Sequence, residues 1–323
     1  MKKIFVTGGS GFVGRKLIQR LVYEGCHVIA LSRTESSDKV IKGLGAFPLR
    51  GDLHSAEALA KGVADADTVF HLAASVDFWK SREELHDDHV AATKKLLALA
   101  AAKTSNVSRF VYLSAASVVM NGQPILHADE SFRSDRLIDG YSQTKLEAET
   151  LVLKAATSDF GTVAIRPPLI WGRGDTSALP QIKAAALNGQ LAFIGGGRHR
   201  FVTCHVQNVC HALLLAAQSE VSGETFFVTD GEKIEFKQFI TDMLKTQHVV
   251  APNRSVPLRV AKAMAGFFSF TWRTLGLKGH PPLYPGMVNA LGLPFIVSDQ
   301  KARDMLGYQP IVSVRDGLQQ MYS

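Results

Sequence analysis

The chain has 323 residues, 46% of them hydrophobic, which is enough to bury the core of one large domain or of two closely packed ones. It contains no low-complexity tract, heptad run or internal repeat, which excludes a coiled coil or a repeat array. The formal net charge is +7. Because Lys and Arg are scattered, this excess indicates an anionic cofactor or an acidic membrane surface rather than nucleic acid.

The first half of the chain alternates short apolar runs with longer amphipathic ones. This alternation predicts parallel β-α-β units and hence an α/β fold with a doubly wound parallel sheet. The apolar run of the opening MKKIFVTGG is too short for a signal peptide, so we interpret it as the first strand. The predicted strands are KIFVTG, HVIALS, DTVFHLAA, RFVYLSAAS and GTVAIRPPLIW, and the predicted helices are GFVGRKLIQRLVYEG, AEALAKGVA, AATKKLLALAAAKT and YSQTKLEAETLVLKAAT.

The pattern loosens after Pro167-Pro168. The helix TSALPQIKAAALNGQ stands without a partner strand, and RFVTCHV and ETFFVTDG are predicted as late strands that rejoin the sheet before the helix FKQFITDMLKTQ. We therefore predict two interleaved units with a ligand cleft between them. The sheet domain takes residues 1–171 and about 200–230, and a smaller C-terminal lobe takes residues about 172–199 and 231–323.

A glycine-rich segment, VTGGSGFVGRKL, follows the first predicted strand and opens the first helix. Its spacing is typical of a dinucleotide-binding turn: Gly8 permits the tight turn, Gly11 lets the backbone approach a pyrophosphate, and Gly14 allows close packing of helix on strand. The helix N-terminus offers unpaired N–H groups to the phosphates. The predicted cofactor contacts of this segment are Gly8, Gly9, Ser10, Gly11, Phe12, Val13 and Gly14.

The second predicted strand ends in VIALSR, at Ser32 and Arg33. A site that prefers NAD has an acidic residue here, which holds the 2′-hydroxyl of the adenosine ribose. A carboxylate would repel the 2′-phosphate of NADP, whereas a hydroxyl and a guanidinium can bind it. We therefore predict NADP(H) as the favoured cofactor, and NAD(H) stays an alternative if Arg33 is only a solvated loop residue.

The segment DGYSQTK places Tyr141 four residues before Lys145. On a helix this spacing puts both side chains on one face, one turn apart. The pair is either an ordinary surface pair or a phenol whose pKa an ammonium lowers, and the spacing alone leaves both interpretations open.

Five segments follow one another along the chain: TGGSGFVG, GDL (51–53), HLAAS (71–75), YSQTK (141–145) and RPPLIWGRGD (166–175). In this order and spacing they resemble the extended short-chain dehydrogenase/reductases, within the NAD-dependent epimerase/dehydratase superfamily, which have a Rossmann fold. The resemblance implies that Tyr141 is the catalytic acid/base. Lys145 would hydrogen-bond the nicotinamide ribose and, together with the charge of oxidised nicotinamide, lower the pKa of Tyr141 from about 10. The resemblance also implies cofactor contacts by Asp52, Leu53, Ala73, Ala74, Lys145 and Pro167.

The second half is similar to a narrower branch of that family. The segments that carry this likeness are RPPLIWGRGDTSALP, FIGGG, FFVTDGEKIEFKQFI, GHPPL and ARDMLGYQP. They resemble the 3β-hydroxysteroid dehydrogenases and sterol-4-carboxylate dehydrogenases, and the bacterial reductases of 2-alkyl-3-keto acids.

The chain departs from the family pattern at three positions. The family has a Ser or Thr that hydrogen-bonds the reacting oxygen where this chain has Ala115, in VYLSAASVV. Ser117 is two residues further on, and on a strand it would face the same way, so we prefer it to Ser114 as the replacement donor. The other departures are His89, where the family usually has Asn and to which no role is assigned, and Asn208, commonly Asp.

Several aromatic residues fall where the two units should meet. Phe78, Trp79 and Trp171 are the expected substrate contacts, and their size favours a small apolar substrate. The helix-like, apolar segment 257–278 is edged by Arg and Lys and is too short to span a bilayer. A lid, a core helix and a helix in peripheral contact with a membrane all stay open for it.

The chain has three cysteines, Cys26, Cys204 and Cys210, without a disulfide-like framework, which predicts a reducing, cytoplasmic location. Neither CHVQNVCH (204–211) nor HDDH (86–89) has a common zinc spacing, so no metal site is predicted.

The leading functional hypothesis is an NADP(H)-dependent oxidoreductase that interconverts a secondary alcohol and a ketone on an apolar substrate, steroid-like or a 2-alkyl-3-keto acid. Two alternatives stay open. One is a nucleotide-sugar epimerase or dehydratase, for which Arg198 and Arg200 could anchor a diphosphate. The other is a non-catalytic dinucleotide-binding sensor or assembly subunit. The oligomeric state is not fixed by the sequence, and a homodimer is one possibility.

Overall fold

Seven parallel strands form the central sheet of the computed structural model, which describes residues 2–134 and 136–322. The outermost residues of the predicted domain ranges, 1 and 323, lie outside the described residues. In the order of the sheet the strands are β12 (Glu224–Phe227), β7 (Gly161–Arg166), β5 (Arg109–Leu113), β4 (Thr68–His71), β1 (Lys3–Thr7), β2 (His27–Ser32) and β3 (Phe47–Arg50). This is the predicted α/β, doubly wound parallel sheet, and that prediction is confirmed.

Helices cover both faces of the sheet, which is why its inner strands are continuous apolar runs. Side chains alternate along β1: Ile4 and Val6 pack into the helix layer on one face of the sheet, whereas Phe5 packs into the layer on the other face. The helices of the two layers are α1 (Phe12–Tyr23), α2 (Glu35–Gly43), α3 (Ala56–Ala64), α5 (Ala92–Ala100), α6 (Gly140–Lys154) and α8 (Val206–Gln218). Helix α4 (Arg82–His86) runs into α5 through a π-helical turn, Asp87–Ala91.

A second lobe is built on three small sheets. A four-stranded sheet has the order β13 (Ile234–Glu235), β10 (Arg200–Phe201), β15 (Phe295–Val297) and β6 (Ile125–Ala128). Two parallel pairs accompany it: β8 (Leu169–Trp171) with β11 (Thr203–His205), and β9 (Phe193–Ile194) with β14 (Ser255–Val256). The remaining helices are α7 (Ala178–Leu187), α9 (Phe236–Lys245), α10 (Leu258–Thr274), α11 (Pro285–Gly292), α12 (Gln300–Leu306) and α13 (Val314–Gln320), and 3-10 turns span Ala116–Val119 and Gly195–Gly197.

One late strand was predicted correctly and another was not. ETFFVTDG contains β12, which pairs with β7 at the edge of the central sheet. RFVTCHV does not rejoin that sheet: it divides into β10 and β11, which pair with β13 and β15 and with β8. Two consecutive prolines offer no N–H to a neighbouring strand, so GTVAIRPPLIW also breaks into β7 and β8, and β8 leaves the sheet with β11 as its partner.

The carboxylate of Asp230 holds β8, β11 and α8 together. It accepts hydrogen bonds from the Trp171 indole (2.8 Å), the Thr203 hydroxyl (2.7 Å) and the His205 backbone N–H (2.6 Å). The Asn208 amide donates to it at 2.7 Å and to the Val312 carbonyl at 2.8 Å, while its oxygen accepts from the N–H groups of residues 311 and 312. All the hydrogen-bonding capacity of this fully buried amide is used, which accounts for Asn at this position.

We expect Asn208→Asp to destabilise the fold by about 3 kcal/mol or more, because it sets a second carboxylate against Asp230 and removes two donors from a buried site. Urea denaturation at pH 7 measures the loss. Asn121→Asp, in the turn before β6, is the matched control and should change the stability by less than about 0.5 kcal/mol. Equal stabilities of the two variants would contradict the assignment of Asn208 to this network.

Candidate active site

The glycine segment forms a tight loop between β1 and α1. Gly8 has φ +75°, and a Cβ on it would lie 2.8 Å from the backbone nitrogen of Ala73. A Cβ on Gly14 would lie 2.1 Å from the Gly8 carbonyl oxygen, so helix and loop pack as closely as backbone allows. Gly11 precedes the first turn of α1 and has no side chain to cap it. The N–H groups of that turn are therefore left for a ligand, and the loop fits a dinucleotide phosphate.

The other residues of this segment take different positions. The side chains of Phe12 and Val13 are buried in the core, so only their backbone can meet a cofactor. Gly9 is buried and Ser10 is half-buried. The Thr7 hydroxyl accepts a hydrogen bond from Ala73 N–H at 3.3 Å, which fixes the segment after β4 beside the loop.

The remaining predicted cofactor residues lie at the carboxyl edge of the sheet, where ligands bind in open α/β folds. Ala73 and Ala74 are half-buried beyond β4, and Leu53 is half-buried beyond β3. The neighbouring Asp52 carboxylate accepts hydrogen bonds from two N–H groups of its own turn, both at 2.9 Å. Pro167 is buried, and its carbonyl accepts from Ala116 N–H at 2.9 Å.

The end of β2 has a buried hydroxyl and an exposed cation. Ser32 is buried and its hydroxyl donates to the Thr34 carbonyl at 3.2 Å. Arg33 is exposed and has no hydrogen bond or ion pair to any residue that the structure describes. The guanidinium of Arg50, at the end of β3, is already paired with Asp38. Arg33 is therefore the cation that is free at the end of β2.

Tyr141 and Lys145 lie on the first turns of α6, and both are buried. Asp139 caps the helix by accepting the Ser142 N–H at 2.7 Å. The Lys145 amine donates to the Leu113 carbonyl at the end of β5, at 2.6 Å, and lies 4.1 Å from the centre of the Tyr112 ring. The pair is not an ordinary surface pair.

Burial sets the protonation of both groups. It lowers the pKa of Lys145 to about 7, with Glu149 opposing the shift. It raises the pKa of Tyr141, and the charge of Asp139 adds to the rise. The expected lowering of the Tyr141 pKa is thus not found in the protein by itself, where Lys145 is bonded to a carbonyl. Tyr141 is a phenol here, able to donate a proton.

Two serine hydroxyls near this helix lack partners. Ser114 and Ser117 are buried, and neither hydroxyl has a hydrogen bond. The expectation that Ser117 lies on a strand is wrong, because β5 ends at Leu113 and Ser117 belongs to the 3-10 turn Ala116–Val119, which packs on α6. Ala115 between them is extended and half-buried. Buried hydroxyls without partners can donate hydrogen bonds to an oxygen atom of a ligand.

His89, to which the sequence assigned no role, joins two parts of the site. It lies on the π-helical turn, and its Nε2 accepts the Ser75 N–H at 3.0 Å. Its Nδ1 therefore carries the proton and donates to the Thr144 hydroxyl at 2.8 Å, which donates in turn to the Gly140 carbonyl at 2.8 Å. Burial, and then the charge of Lys145, lower the pKa of His89 to about 4, so the ring is neutral at pH 7. In the sequence, the only sign of a role for His89 was that it stands where the family usually has Asn.

A cleft of about 500 Å³ opens at the N-terminal turn of α6, where Asp139, Gly140 and Gln143 line it. Phe78 lies on its wall with its ring centre 4.8 Å from that of Tyr141. Trp79 lies 5.8 Å from Tyr284, and the Arg273 guanidinium lies 5.1 Å from the Trp79 ring. Helix α10 contributes a further wall, and the lining residues are 78–83, 138–140, 143, 269, 270, 273, 274 and 284–286; Tyr141 is in contact with this wall through Phe78 and does not itself line the cleft.

Trp171 is not part of this cleft, and its prediction as a substrate contact is corrected. It is fully buried, its indole is bonded to Asp230, and its ring packs against Phe239 at 5.0 Å. The break at Pro167-Pro168 turns β8 into the core of the second lobe, which is why an aromatic residue just beyond the sheet misses the cleft.

A profile of the 3-beta hydroxysteroid dehydrogenase/isomerase family matches residues 5–258. A 4-hydroxy-2-methyl-3-oxo-4-farnesyl-3,4-dihydroquinoline-1-oxide ketoreductase of Stigmatella aurantiaca is 39% identical over 98% of this chain and 94% of its own. A 2-alkyl-3-oxoalkanoate reductase of Stenotrophomonas maltophilia is 32% identical over 99% of this chain and 98% of its own. UDP-glucose 4-epimerase of Thermotoga maritima superposes with a TM-score of 0.76 at 19% identity, covering 99% of this chain and 97% of that one, which shows a common fold.

We expect His89→Leu to lower the stability by about 2 kcal/mol and to weaken cofactor binding, because the Ser75 N–H and the Thr144 hydroxyl lose a buried partner. His89→Asn supplies one acceptor and one donor and should recover much of both. Thermal denaturation with and without NADPH measures the effects. His54→Leu removes an exposed imidazole–carboxylate contact and is the control, expected to be neutral. If the Leu and Asn variants behaved alike, the bonds of His89 would have no positioning role.

The pKa of Lys145 also predicts a pH dependence. The unfolded chain keeps this proton up to about pH 10 and the folded chain loses it at about 7, so the unfolded state binds more protons between these values. In that window raising the pH should favour the folded wild type, relative to Lys145→Met, by up to about 1.4 kcal/mol per pH unit. Urea denaturation at several pH values measures the difference. Lys154→Met, at the exposed end of the same helix, keeps Lys145 and should follow the pH dependence of the wild type, whereas a constant difference between wild type and Lys145→Met would refute the prediction.

Proposed function

The chain belongs to the 3-beta hydroxysteroid dehydrogenase/isomerase family, and from this premise we propose that it reduces a ketone to a secondary alcohol on an apolar substrate, with Tyr141 as the acid. It is an NAD(P)-dependent dehydrogenase/reductase acting on CH–OH groups, of the extended short-chain type. The observation that carries the proposal is the position of Tyr141, a buried phenol in contact with the aromatic wall of the cleft.

Tyr141 acts by donating its proton to the carbonyl oxygen. A reduced nicotinamide dinucleotide bound in the glycine loop would supply the hydride. Lys145 lies one turn away and stabilises the tyrosinate that proton transfer leaves behind. Low solvent access to both side chains strengthens that interaction.

The two buried serine hydroxyls are the proposed hydrogen-bond donors to the reacting oxygen. We prefer Ser117 as this donor because its turn packs directly on α6, and Ser114 is the second candidate. Loss of one such donor costs about 10²–10³ in turnover in other enzymes. Turnover by Ser114→Ala and Ser117→Ala therefore decides which serine takes the role of the Ser or Thr that the family has at the position of Ala115.

Three aromatic rings on the wall of the cleft, those of Phe78, Trp79 and Tyr284, favour an apolar substrate, although charged side chains such as Lys80 and Asp139 line it as well. The relatives point the same way, since one is named for a farnesylated quinoline and another for 2-alkyl-3-oxoalkanoates. A 2-alkyl-3-keto acid and a 3-ketosteroid are the two substrate classes that we propose. The exposed pair Arg198 and Arg200 does not line the cleft, so these two residues would not anchor a diphosphate there; the cations on its wall are Lys80, Arg82 and Arg273.

NADP(H) is the proposed cofactor because Arg33 is unpaired and no carboxylate ends β2. The fold and the glycine loop suit NAD(H) equally, so the preference depends on that one guanidinium.

The proposal is tested by NADPH consumption with a 2-alkyl-3-keto acid, a 3-ketosteroid and a nucleotide sugar. We expect turnover with an apolar ketone, and Tyr141→Phe should lower it about 10²–10⁴-fold, because the phenol is the proton donor. Tyr23→Phe, at an exposed position on α1, is the matched control and should be neutral. Arg33→Gln should weaken NADPH binding about tenfold and leave NADH binding unchanged, since only NADPH has the 2′-phosphate.

Three outcomes would contradict the proposal. Epimerisation of the sugar without net NADPH consumption would indicate an epimerase. NADPH that is held tightly without turnover of any substrate would indicate a sensor. Equal activities of Tyr141→Phe and wild type on an apolar ketone would remove Tyr141 from the mechanism.

A further inference from the structure

A lysine on the wall of the cleft lies close to the N-terminal turn of α6. Lys80 is half-buried and lines the cleft. Its backbone packs directly on the helix: a Cβ on Gly140, the residue before Tyr141, would lie 2.7 Å from the Lys80 carbonyl oxygen. Burial and the charges of Lys145 and Lys80 lower the pKa of His89, and the ring centre of His89 is 5.7 Å from that of Tyr141. Lys80 therefore belongs to the part of the wall that borders Tyr141.

The segment that bears Lys80 is fixed by a carboxylate. Asp77 accepts the Trp79 N–H at 3.0 Å, which shapes the turn before Lys80. It also accepts a hydrogen bond at 2.9 Å from the His280 imidazole, which lies in the connection between α10 and α11. The lysine side chain thus reaches the cleft from a stretch of backbone that both lobes hold in place.

The Lys80 ammonium has no partner within the described ranges of the protein. Its side chain forms no hydrogen bond or ion pair with any residue in 2–134 or 136–322. Of the two other cations on the wall, Arg82 is bonded to Glu147 at 2.6 and 2.9 Å, and Arg273 lies over the Trp79 ring. The cleft therefore contains one half-buried unpaired cation, and a second that is held by a cation–π contact.

The other polar groups of the cleft leave this positive charge in excess. The Asp139 carboxylate is used by α6, where it accepts the Ser142 N–H at 2.7 Å and the Ser142 hydroxyl at 3.1 Å. Glu83 is exposed and forms no ion pair with Lys80. The Ser269 hydroxyl, on the α10 side, has a buried oxygen without a hydrogen-bond partner and can donate to a ligand. An anionic group that enters the cleft is therefore attracted to it.

We propose that Lys80 binds a carboxylate of the substrate and so selects a keto acid over an uncharged ketone. This inference rests on the proposed function, because it chooses between the two substrate classes of the same site. In a 2-alkyl-3-keto acid the carboxylate and the keto group are attached to the same carbon atom. A ketone oxygen at Tyr141 therefore brings the carboxylate to the neighbouring Lys80, while the alkyl chains lie along the aromatic wall.

The same lysine disfavours a steroid. Apolar atoms that cover a half-buried ammonium remove water from the charge and offer it no partner, which costs binding energy. A carboxylate replaces that water with a charge-assisted hydrogen bond. One cation thus attracts one class of ketone and repels the other, which is how a binding site gains specificity without a change of shape.

The test compares a 2-alkyl-3-keto acid with its methyl ester, which has the same ketone and chains without the charge. For the wild type we expect kcat/KM, measured by NADPH consumption, to be about 10- to 100-fold higher with the acid, and this preference to shrink as salt is added. Lys80→Met should abolish the preference by raising KM for the acid with little change in kcat, because the lost contact is made equally in the ground state and the transition state. Lys80→Arg keeps the charge and should retain the preference. Lys103→Met, at an exposed position after α5, is the matched control and should behave as the wild type does.

Turnover of the ester separates this inference from the proposed function. If wild type and Lys80→Met reduce both compounds with the same ratio of acid to ester, Lys80 does not recognise the carboxylate and the inference is overturned, while the proposed function stands. The melting temperature of each variant identifies a folding defect.

Binding decides the matter where no ketone is reduced and the proposed function fails. The stable 2-alkyl-3-hydroxy acid and its methyl ester are titrated against Tyr141→Phe, with and without Lys80→Met, by quenching of tryptophan fluorescence. Binding of the acid that is at least about tenfold tighter than that of the ester, and that Lys80→Met removes, supports a carboxylate site at Lys80. Equal binding of acid and ester, or a preference that Lys80→Met leaves unchanged, overturns it.

Discussion

The hydrogen bond from the Lys145 amine to the Leu113 carbonyl anchors α6 to the carboxyl end of β5. Leu113 is the last residue of that strand, and its carbonyl accepts from the amine at 2.6 Å. A buried ammonium needs such an acceptor, and its proximity to the Tyr112 ring adds a favourable cation–π contact. The position of Tyr141 follows from this anchor, because it lies one helical turn before Lys145 and shares its face. Despite these two contacts, burial disfavours the charged form of the amine and lowers the pKa of Lys145 to about 7.

Two further contacts fix the N-terminal turn of the same helix. Asp139 caps it, and the chain from His89 through Thr144 to the Gly140 carbonyl ties it to the π-helical turn. His89 also holds the backbone of Ser75, in the segment whose Ala73 packs on Gly8. One neutral imidazole thus connects α6 with the glycine loop. Asparagine has the same pair of functions, an acceptor and a donor, which explains how a histidine can stand where the family usually has an amide.

The sequence was sufficient for the central sheet and insufficient for the second lobe, for physical reasons. Parallel strands covered on both faces are uninterrupted apolar runs, and the helices between them repeat at 3.6 residues, so each element is visible locally. β10, β11 and β13 are two or three residues long, and their pairing depends on partners far away in the chain. Trp171 was misplaced for that reason. Tyr141, Lys145 and the glycines have fixed spacings and could be found, whereas His89 acts through contacts to residues 14 and 55 positions away, which no local pattern records.

The two sides of the cleft are built to different degrees of rigidity. Tyr141 and Lys145, on the helix whose first turn lines one side, are held by the edge of a seven-stranded sheet and by the buried hydrogen bonds of Asp139 and Lys145. The opposite wall is α10, whose buried residues are two alanines in a small cluster. Partly buried leucines, Leu258 and Leu291 among them, add to that cluster and pack α10 on α11, so we expect this wall to move more readily than the sheet does. Under the proposed function, a proton donor fixed by the sheet would face an apolar helix across the cleft, and such an arrangement would keep one chemistry for lipophilic ketones of different shape. In that proposal the residues of α10 on the wall of the cleft would bear on which substrates enter, and the residues at the end of the sheet would bear on the reaction.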